Sequence, residues 1–236
     1  VVANGACAPG ADSLRGVNVY AALDLGTNNC RLLIACPWGD GFRVVDSFSR
    51  IIRLGEGVSA TGCISEAAIE RAIAALAICR DKIRLKNARR LRLIATEACR
   101  AATNGPEFVE KVRMALGLEL EIVDRETEAH LAAAGCASLA DAEAESVLLF
   151  DIGGGSSEVI WLEQGGPDGA AASDKGLRER VRCWVSLKLG VVSLAEKFGG
   201  IEVSDAIFEA MVAYVTDELG GFIARASGLG RCGRFH

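Results

Sequence analysis

The chain has 236 residues and a mass of 24.8 kDa, enough for one large domain or two smaller ones with a buried core. Half of its residues are hydrophobic, but every apolar run is interrupted well before the ~20 residues that a membrane span needs. The net charge of −5 argues against a nucleic-acid-binding protein, whose domain is normally basic. We therefore expect a globular protein that binds neither DNA nor a membrane.

The N-terminal segment and the cysteines bear on where the protein is located and on whether it has disulfide or zinc sites. Residues 1–16 do not resemble a secretory signal, so we expect a disordered segment at the start of a cytoplasmic protein. Nine cysteines without a CxxC spacing indicate neither a disulfide framework nor a zinc knuckle, and most should be small buried hydrophobic residues. The two histidines, His130 and His236, leave little room for histidine-based catalysis. Acid–base chemistry would therefore fall to carboxylates.

The first half of the chain predicts elements in the order βββαβαβα. Three β-rich runs predict an antiparallel meander over Val17–Asp24, Cys30–Cys36 and Phe42–Arg53. A long amphipathic helix follows, with Ser65 as its N-cap and its end near Lys86. The sequence then predicts a strand at Leu91–Ala95 and a helix at Pro106–Leu116, which begins with proline. A strand at Leu120–Val123 and a helix at Glu126–Leu139 complete this half.

The pattern restarts after Asp141, which predicts a degenerate internal repeat. Its three strands are predicted at Ser146–Asp151, Ser157–Leu162 and Arg180–Ser186, and its two helices near Val191–Phe198 and Ser204–Ile223. Residues Gln164–Gly176, rich in small and polar residues, read as a hairpin loop. Because the second copy stops after βββ and two helices, we expect its domain to be incomplete.

Two glycine-containing turns are candidates for binding phosphate. The first glycine turn is Gly26–Asn28 and the second is Gly153–Ser156; each follows a strand that ends with an aspartate, Asp24 or Asp151. Such turns can direct several backbone N–H groups at one anion, while the aspartate offers oxygen to Mg²⁺. The first turn alone is more typical of an ordinary hairpin. The three consecutive glycines of the second turn favour a function, since they lose backbone entropy without any return in packing.

Four motifs in this order resemble the Ppx/GppA phosphatases, which are exopolyphosphatases and guanosine pentaphosphate phosphohydrolases of the actin, sugar-kinase and heat-shock ATPase superfamily. The motifs are Ala21–Asn28 (AALDLGTN), Thr96–Arg100 (TEACR), Glu126–Ala129 (ETEA) and Phe150–Glu158 (FDIGGGSSE). The resemblance implies two ribonuclease-H-like α/β domains, each with a mixed sheet flanked by helices, and an active cleft between them. The domains would cover residues 17–124 and 125–236, the second being truncated.

The resemblance also implies roles for individual residues. Glu128 matches the glutamate that positions or deprotonates the attacking water, and Arg100 matches a phosphate-binding arginine. Without the family, Glu128 is an acid favoured by a helix dipole and Arg100 a solvated arginine. The implied ligands of Mg²⁺, or alternatively Mn²⁺, are Asp24, Asp151 and Glu158. The other implied phosphate-binding residues are Gly26, Thr27, Asn28, Gly153, Gly154, Gly155, Ser156 and Ser157.

The implied reaction is metal-assisted removal of a terminal phosphate from inorganic polyphosphate or guanosine pentaphosphate, with water as the nucleophile. Two alternatives remain open: a phosphotransferase related to sugar or acid kinases, and a non-catalytic sensor that binds guanosine tetraphosphate. A homodimer is compatible with the resemblance. The sequence departs from the family at His130, where relatives often have arginine, and at Lys188, where they often have proline.

Overall fold

The computed structural model describes residues 18–39, 41–136, 139, 144–163, 179–200 and 202–229. These residues form two β-sheets with helices packed against them. The predicted disordered segment 1–16, the predicted loop Gln164–Gly176 and His236 lie outside the described residues. Among the described helices, none combines the length and apolar composition that crossing a lipid bilayer requires.

The first sheet contains five strands in the order β3-β2-β1-β4-β5. The predicted antiparallel meander of β1, β2 and β3 is confirmed, and β4 and β5 add to it in parallel to β1. The sheet is therefore mixed, as predicted. Its strands are β1 (Tyr20–Leu25), β2 (Asn29–Trp38), β3 (Gly41–Ile51), β4 (Arg90–Ala95) and β5 (Glu121–Ile122).

Helices of the first half pack on one face of this sheet. The helices are α1 (Val58–Thr61), α2 (Glu66–Leu85), α3 (Glu97–Ala101) and α4 (Gly105–Leu116). The predicted N-cap of α2 is confirmed, because the Ser65 hydroxyl accepts a hydrogen bond from the Ala68 N–H at 3.3 Å. Leu23 of β1, Leu32 of β2 and Leu76 of α2 belong to the resulting core. The sequence did not predict α1 and α3, which are too short to show a helical period.

The second sheet has three antiparallel strands in the order β6-β7-β8. On one face, Ala129 and Ala133 of α5 pack against leucines and isoleucine of the sheet. On the other face, Phe222 of α7 packs against Trp161 and its neighbours. The elements are α5 (Arg125–Cys136), β6 (Ser146–Ile152), β7 (Ser157–Glu163), β8 (Val181–Leu187), α6 (Val191–Phe198) and α7 (Asp205–Gly228).

The two halves repeat the same order of elements, β1-β2-β3-α1-α2 and β6-β7-β8-α6-α7. Their hairpins also repeat one hydrogen bond: the Gly26 N–H donates to the Asn29 carbonyl, and the Gly153 N–H donates to the Ser156 carbonyl, both at 2.9 Å. The internal repeat predicted from the sequence is thus present in the fold. The proposed boundary between residues 124 and 125 coincides with the start of α5 and stays a prediction.

The described cysteines largely behave as small hydrophobic residues, as expected. Cys30, Cys36, Cys79, Cys99 and Cys183 are buried, whereas Cys63 and Cys136 are exposed. All seven are free thiols.

Candidate functional site

The two glycine turns lie against each other where the two sheets meet. A Cβ atom added to Gly154 would lie 3.1 Å from Cβ of Asn28, and one added to Gly155 would lie 2.6 Å from Oγ1 of Thr27. Such contacts leave no room for a side chain at Gly155. The structure therefore brings together two segments that are separated by more than a hundred residues in the sequence, and glycine permits their close approach.

A small cavity of about 150 Å³ opens between the two turns. It is lined by most of the residues that the sequence proposed for phosphate and metal binding, together with Glu128. From that set these are Asp24, Gly26, Thr27, Asn28, Glu128, Asp151, Gly153, Gly154, Gly155, Ser156 and Glu158. Arg100 and Ser157 are not part of the lining.

Both turns leave backbone N–H groups free to bind an anion. The N–H groups of Thr27, Asn28, Gly154 and Gly155 donate to no acceptor in the part of the chain that the structure describes. The carbonyls of the second turn bind the start of α6. The Gly153 carbonyl accepts a hydrogen bond from the Val191 N–H at 3.0 Å, and the Gly154 carbonyl accepts one from the Val192 N–H at 2.9 Å. Unpaired N–H groups on successive turn residues form the concave, electropositive arrangement that binds phosphate.

Four carboxylates, those of Asp24, Glu128, Asp151 and Glu158, surround the same cavity, and burial raises the pKa of three of them, Asp24, Glu128 and Glu158. Burial raises the pKa of Asp24 to about 6; Glu128 and Asp151 raise it further by repulsion, and Arg31 opposes the shift. Burial likewise raises the pKa of Glu158 to about 7, which the hydrogen bond from Ser186 opposes. The cavity therefore carries concentrated negative charge that bound cations or protons would offset.

Glu158 is almost fully buried, with 2% of its surface exposed, and its carboxylate accepts a hydrogen bond from Oγ of Ser186 at 2.6 Å. Its folded-state pKa of about 7 exceeds its ordinary value of 4.5, so ionisation of Glu158 opposes folding. The stability associated with its protonated form is complete at acidic pH and is lost as the pH rises through that folded-state value.

We expect Glu158→Gln to flatten the pH dependence of stability between about pH 5 and pH 8. The wild-type protein should lose on the order of 2 kcal/mol of unfolding free energy relative to the variant over this range, after allowance for solvent screening. Urea denaturation at several pH values measures the difference. Glu209→Gln, at an exposed position of α7, is the control. Parallel profiles for wild type and Glu158→Gln would contradict the expectation.

Glu128 lies in the first turn of α5 and is held by an arginine. Asp124 caps the helix, because its carboxylate accepts the Thr127 N–H at 2.7 Å. Oε2 of Glu128 accepts a hydrogen bond from the Arg100 guanidinium at 2.7 Å. Burial raises the pKa of Glu128, and Arg100 opposes this shift. The side chain is thus fixed in orientation and is a better proton acceptor than an ordinary exposed glutamate.

Arg100 is engaged by protein groups on all three of its nitrogens. Two of them donate to Glu97, and Nη1 donates to the Val123 carbonyl at 2.6 Å. Arg125 also pairs with Glu97, at 2.7 Å. Ser157, the other residue outside the lining, donates its hydroxyl to the Leu189 carbonyl at 2.6 Å. In this structure both residues therefore support the walls of the cavity rather than forming its surface.

The lining also includes Arg31 and Thr96, which the sequence reasoning missed. Arg31 is exposed on β2, directly across the strand pair from Asp24. It is the only basic side chain in the described lining of the cavity. The signal that could have identified it is a single charged residue within an otherwise apolar strand, at the position that pairs with a candidate metal-binding aspartate.

The oxygen donors at the cavity suit a divalent cation that substrate also helps to hold. Among the described residues, no three His, Cys, Asp or Glu side chains are grouped to hold a metal ion by themselves. Mg²⁺, however, commonly binds through one or two carboxylates, with substrate phosphate and water completing its shell. Asp24 and Asp151, which are the second-last residues of the equivalent strands β1 and β6 and line one cavity, fit that mode of binding.

The chain is similar to known proteins of one family. A model of the Ppx/GppA phosphatase family matches residues 35–227. Over 180 residues the chain is 30% identical to the guanosine-5'-triphosphate,3'-diphosphate pyrophosphatase of Photobacterium profundum; the match covers 76% of this chain and 33% of that protein.

Two solved structures are also similar. An exopolyphosphatase-like protein has a TM-score of 0.76 and 29% identity, with 88% of this chain and 62% of the other covered. A family member from Aquifex aeolicus has a TM-score of 0.63 and 29% identity, with 86% and 62% covered. This chain therefore spans a third of the length of the pyrophosphatase and under two thirds of either structure.

The predicted fold class is confirmed by these likenesses: a mixed first sheet and a second sheet, whose described strands are antiparallel, are flanked by helices in the arrangement of the actin-like ATPases. The matched region contains the second glycine turn and Glu128. It begins at Ala35 within β2, so Arg31 and the first glycine turn lie outside it. On the extent of this match, the chain belongs to the Ppx/GppA phosphatase family.

Proposed function

We propose that this chain contributes to hydrolysis of a terminal phosphate from a linear phosphoanhydride, either inorganic polyphosphate or guanosine pentaphosphate. The observation that carries the proposal is the contact between two glycine turns with free N–H groups, beside a glutamate fixed by an arginine. Membership of the Ppx/GppA phosphatase family and similarity to a guanosine-5'-triphosphate,3'-diphosphate pyrophosphatase support the same reaction class.

The chain's own donors account for binding. The free N–H groups of the two turns would receive oxygens of adjacent phosphates, since they approach from opposite sides of one cavity. Arg31 would add a forked cation at the same surface. A volume of about 150 Å³ suits the terminal part of a phosphate chain, with the rest of the substrate extending outside the cavity.

Glu128 would position the attacking water. The water oxygen forms a bond to the terminal phosphorus while the bridging P–O bond breaks, and the shortened chain leaves with the bonding electrons. Glu128 accepts the proton that the water loses. Arg100 acts as a positioning residue, because it holds Oε2 of Glu128 in place. Phosphoryl transfer depends mainly on such positioning and on neutralisation of charge.

Asp24, Asp151 and Glu158 would hold Mg²⁺ or Mn²⁺, directly or through water. The metal would neutralise negative charge on the phosphate oxygens. Burial, and then repulsion from Glu128 and Asp151, raise the pKa of Asp24 and of Glu158, and a bound cation would offset that repulsion. We also propose residues 17–124 and 125–236 as the two units whose approach would close the cleft over the substrate.

The test is phosphate release from long-chain polyphosphate and from guanosine pentaphosphate, each with Mg²⁺ and with water as the only acceptor. We expect release from at least one of them. Phosphate transfer that requires a second substrate would replace the proposal with a phosphotransferase. Tight binding of guanosine tetraphosphate in calorimetry, with no release from either substrate, would replace it with a sensor.

Arg31→Ala should raise KM for the hydrolysed substrate roughly 10- to 100-fold, the effect of one charge-assisted hydrogen bond, with a smaller change in kcat. Arg31→Lys should recover part of the loss, because it retains the charge without the fork. Arg50→Ala, exposed on the neighbouring strand β3, is the control. A KM for Arg31→Ala equal to that of Arg50→Ala would remove Arg31 from the binding site.

A further inference from the structure

The first turns of α3 and α5 carry the same pair of charges in opposite order. Glu97 and Arg100 are three residues apart on α3, and Arg125 and Glu128 are three residues apart on α5. Residues at this spacing lie on one face of a helix. Each acid of one helix therefore meets a base of the other helix, Glu97 with Arg125 and Glu128 with Arg100.

One nitrogen of Arg100 is shared between the two carboxylates. Its Nη2 donates to Oε2 of Glu128 at 2.7 Å and to Oε2 of Glu97 at 2.8 Å, and its Nε also donates to Glu97, at 3.1 Å. Glu97 and Glu128 therefore compete for the same cation. If one carboxylate drew Arg100 towards itself, the charge-assisted hydrogen bond to the other would weaken.

Arg125 limits this competition by binding the other side of Glu97. Its Nη2 donates to Oε1 of Glu97 at 2.7 Å and to Oε2 at 3.0 Å. Glu97 is only 6% exposed, so cations of the protein rather than water must offset its charge. With Arg125 present, two guanidinium groups face two carboxylates. Without it, Arg100 alone would face both.

Glu97 and Arg125 do not line the phosphate-binding cavity, so they influence it through their neighbours. Burial raises the pKa of Glu128; the hydrogen bond and charge of Arg100 oppose this shift, and repulsion from Asp151 and Glu97 adds to it. The other charged groups that line the cavity with Glu128 are Asp24, Arg31, Asp151 and Glu158.

We propose that Glu97 and Arg125 are positioning residues for Glu128, an assignment that rests on the function proposed above. Glu97 orients the guanidinium of Arg100, and Arg125 offsets the charge of Glu97 so that Arg100 stays directed at Oε2 of Glu128. The two residues then act on Glu128 with opposite signs, because Glu97 favours its protonated form and Arg125 its ionised form. A pair that only held α3 and α5 together would show no such opposition.

The test compares Arg125→Gln with Glu97→Gln in the full 236-residue chain, labelled with ¹³C at the glutamate carboxyl carbons. The resonance that is missing from Glu128→Gln identifies Glu128, and NMR follows its titration with pH. Arg125→Gln should raise the midpoint of this titration by roughly 0.5 pH unit or more, because Glu97 loses its second cation. Glu97→Gln should lower the midpoint by a similar amount, because Arg100 then pairs with Glu128 alone.

Kinetics give a second readout. The rise of kcat with pH should move to higher pH in Arg125→Gln and to lower pH in Glu97→Gln, while KM stays close to the wild-type value because neither residue lines the cavity. In the double variant the two shifts should largely cancel. Glu110→Gln and Arg113→Gln are the matched controls, since they break an exposed ion pair with the same spacing on α4, and both should leave the midpoint unchanged.

Circular dichroism and thermal unfolding check that the variants fold. Glu97→Asp and Arg125→Lys keep both charges and supply the comparison if a neutral variant does not fold. The shorter carboxylate of Glu97→Asp should bind Arg100 less closely and lower the midpoint of Glu128. The ammonium group of Arg125→Lys lacks the guanidinium fork, so it should offset Glu97 less well and raise the midpoint.

Midpoints that move in the same direction at the two positions, or that equal the wild-type value, would overturn the proposal and leave the pair as a structural link between α3 and α5. The NMR titration needs no turnover. A chain that releases no phosphate but shows opposed midpoints would therefore refute the proposed reaction, while supporting the action of Glu97 and Arg125 on Glu128.

Discussion

Glu128→Gln should slow phosphate release roughly 10²- to 10⁴-fold while substrate binding changes little, because the amide keeps the shape of the side chain but cannot accept a proton. In the variant the side-chain amide oxygen at position 128 can still accept the hydrogen bond from Arg100, so the surrounding ion pairs should persist. Initial rates with saturating polyphosphate or guanosine pentaphosphate measure the effect. Binding is measured separately by calorimetry with a non-hydrolysed phosphate chain analogue.

Glu126→Gln is the matched control, since Glu126 is an exposed acid one half-turn earlier on the same helix. It should retain wild-type rates. The pH profile supplies a second readout: because burial raises the pKa of Glu128, the wild-type rate should rise with pH as this carboxyl loses its proton. The Gln variant should lack that rise. Equal rates for the two variants would contradict the role assigned to Glu128.

Gly190→Ala should destabilise the protein by about 1–3 kcal/mol or more and abolish most phosphate release, because the added methyl group has no space. Its Cβ would lie 2.3 Å from the carbonyl carbon of Gly154 and 2.5 Å from the nitrogen of Gly155. These neighbours are backbone atoms of the second glycine turn, so relief requires that the whole turn shifts. The turn would then lose its contact with Thr27 and the alignment of its N–H groups.

Urea denaturation and the rate assay together test this prediction. Gly220→Ala is the control, because this glycine lies inside α7 with open space around it. There the same methyl group should stabilise the protein by about 0.5–1 kcal/mol, owing to the better helix propensity of alanine. A Gly190→Ala protein with unchanged stability and rate would show that the turn tolerates displacement and does not act as a fixed cradle.

Much of the fold follows from local patterns in the sequence. The meander, the capped helix α2 and the helix Val191–Phe198 were predicted within a few residues, because alternation, capping and helical period act over short distances. The short helices α1 and α3 were missed for the same reason. Each spans about one turn, and its stability depends on tertiary contacts rather than on its own sequence.

The contacts between distant segments at the candidate site could not be predicted from the sequence. The two glycine turns could be identified as candidates, but their contact depends on how two sheets meet, which no local pattern encodes. Arg100 illustrates the same point. The sequence offered it as a phosphate ligand, whereas its ion pair with Glu128 joins residues 28 positions apart and becomes visible only in three dimensions. Arg31 was passed over because one charge in a strand is common at solvent-exposed positions.

Two ion pairs hold the start of α5 to the first half of the chain, Arg125 with Glu97 and Glu128 with Arg100. Its first turn is anchored to the first sheet's side through Arg125 and Glu97, while its later residues, including Ala133, rest on the second sheet. A relative rotation of the two sheets about this anchored turn would have its axis near Glu128. Because Glu128 would lie close to that axis, a large movement at the far end of α5 would displace its carboxylate only slightly.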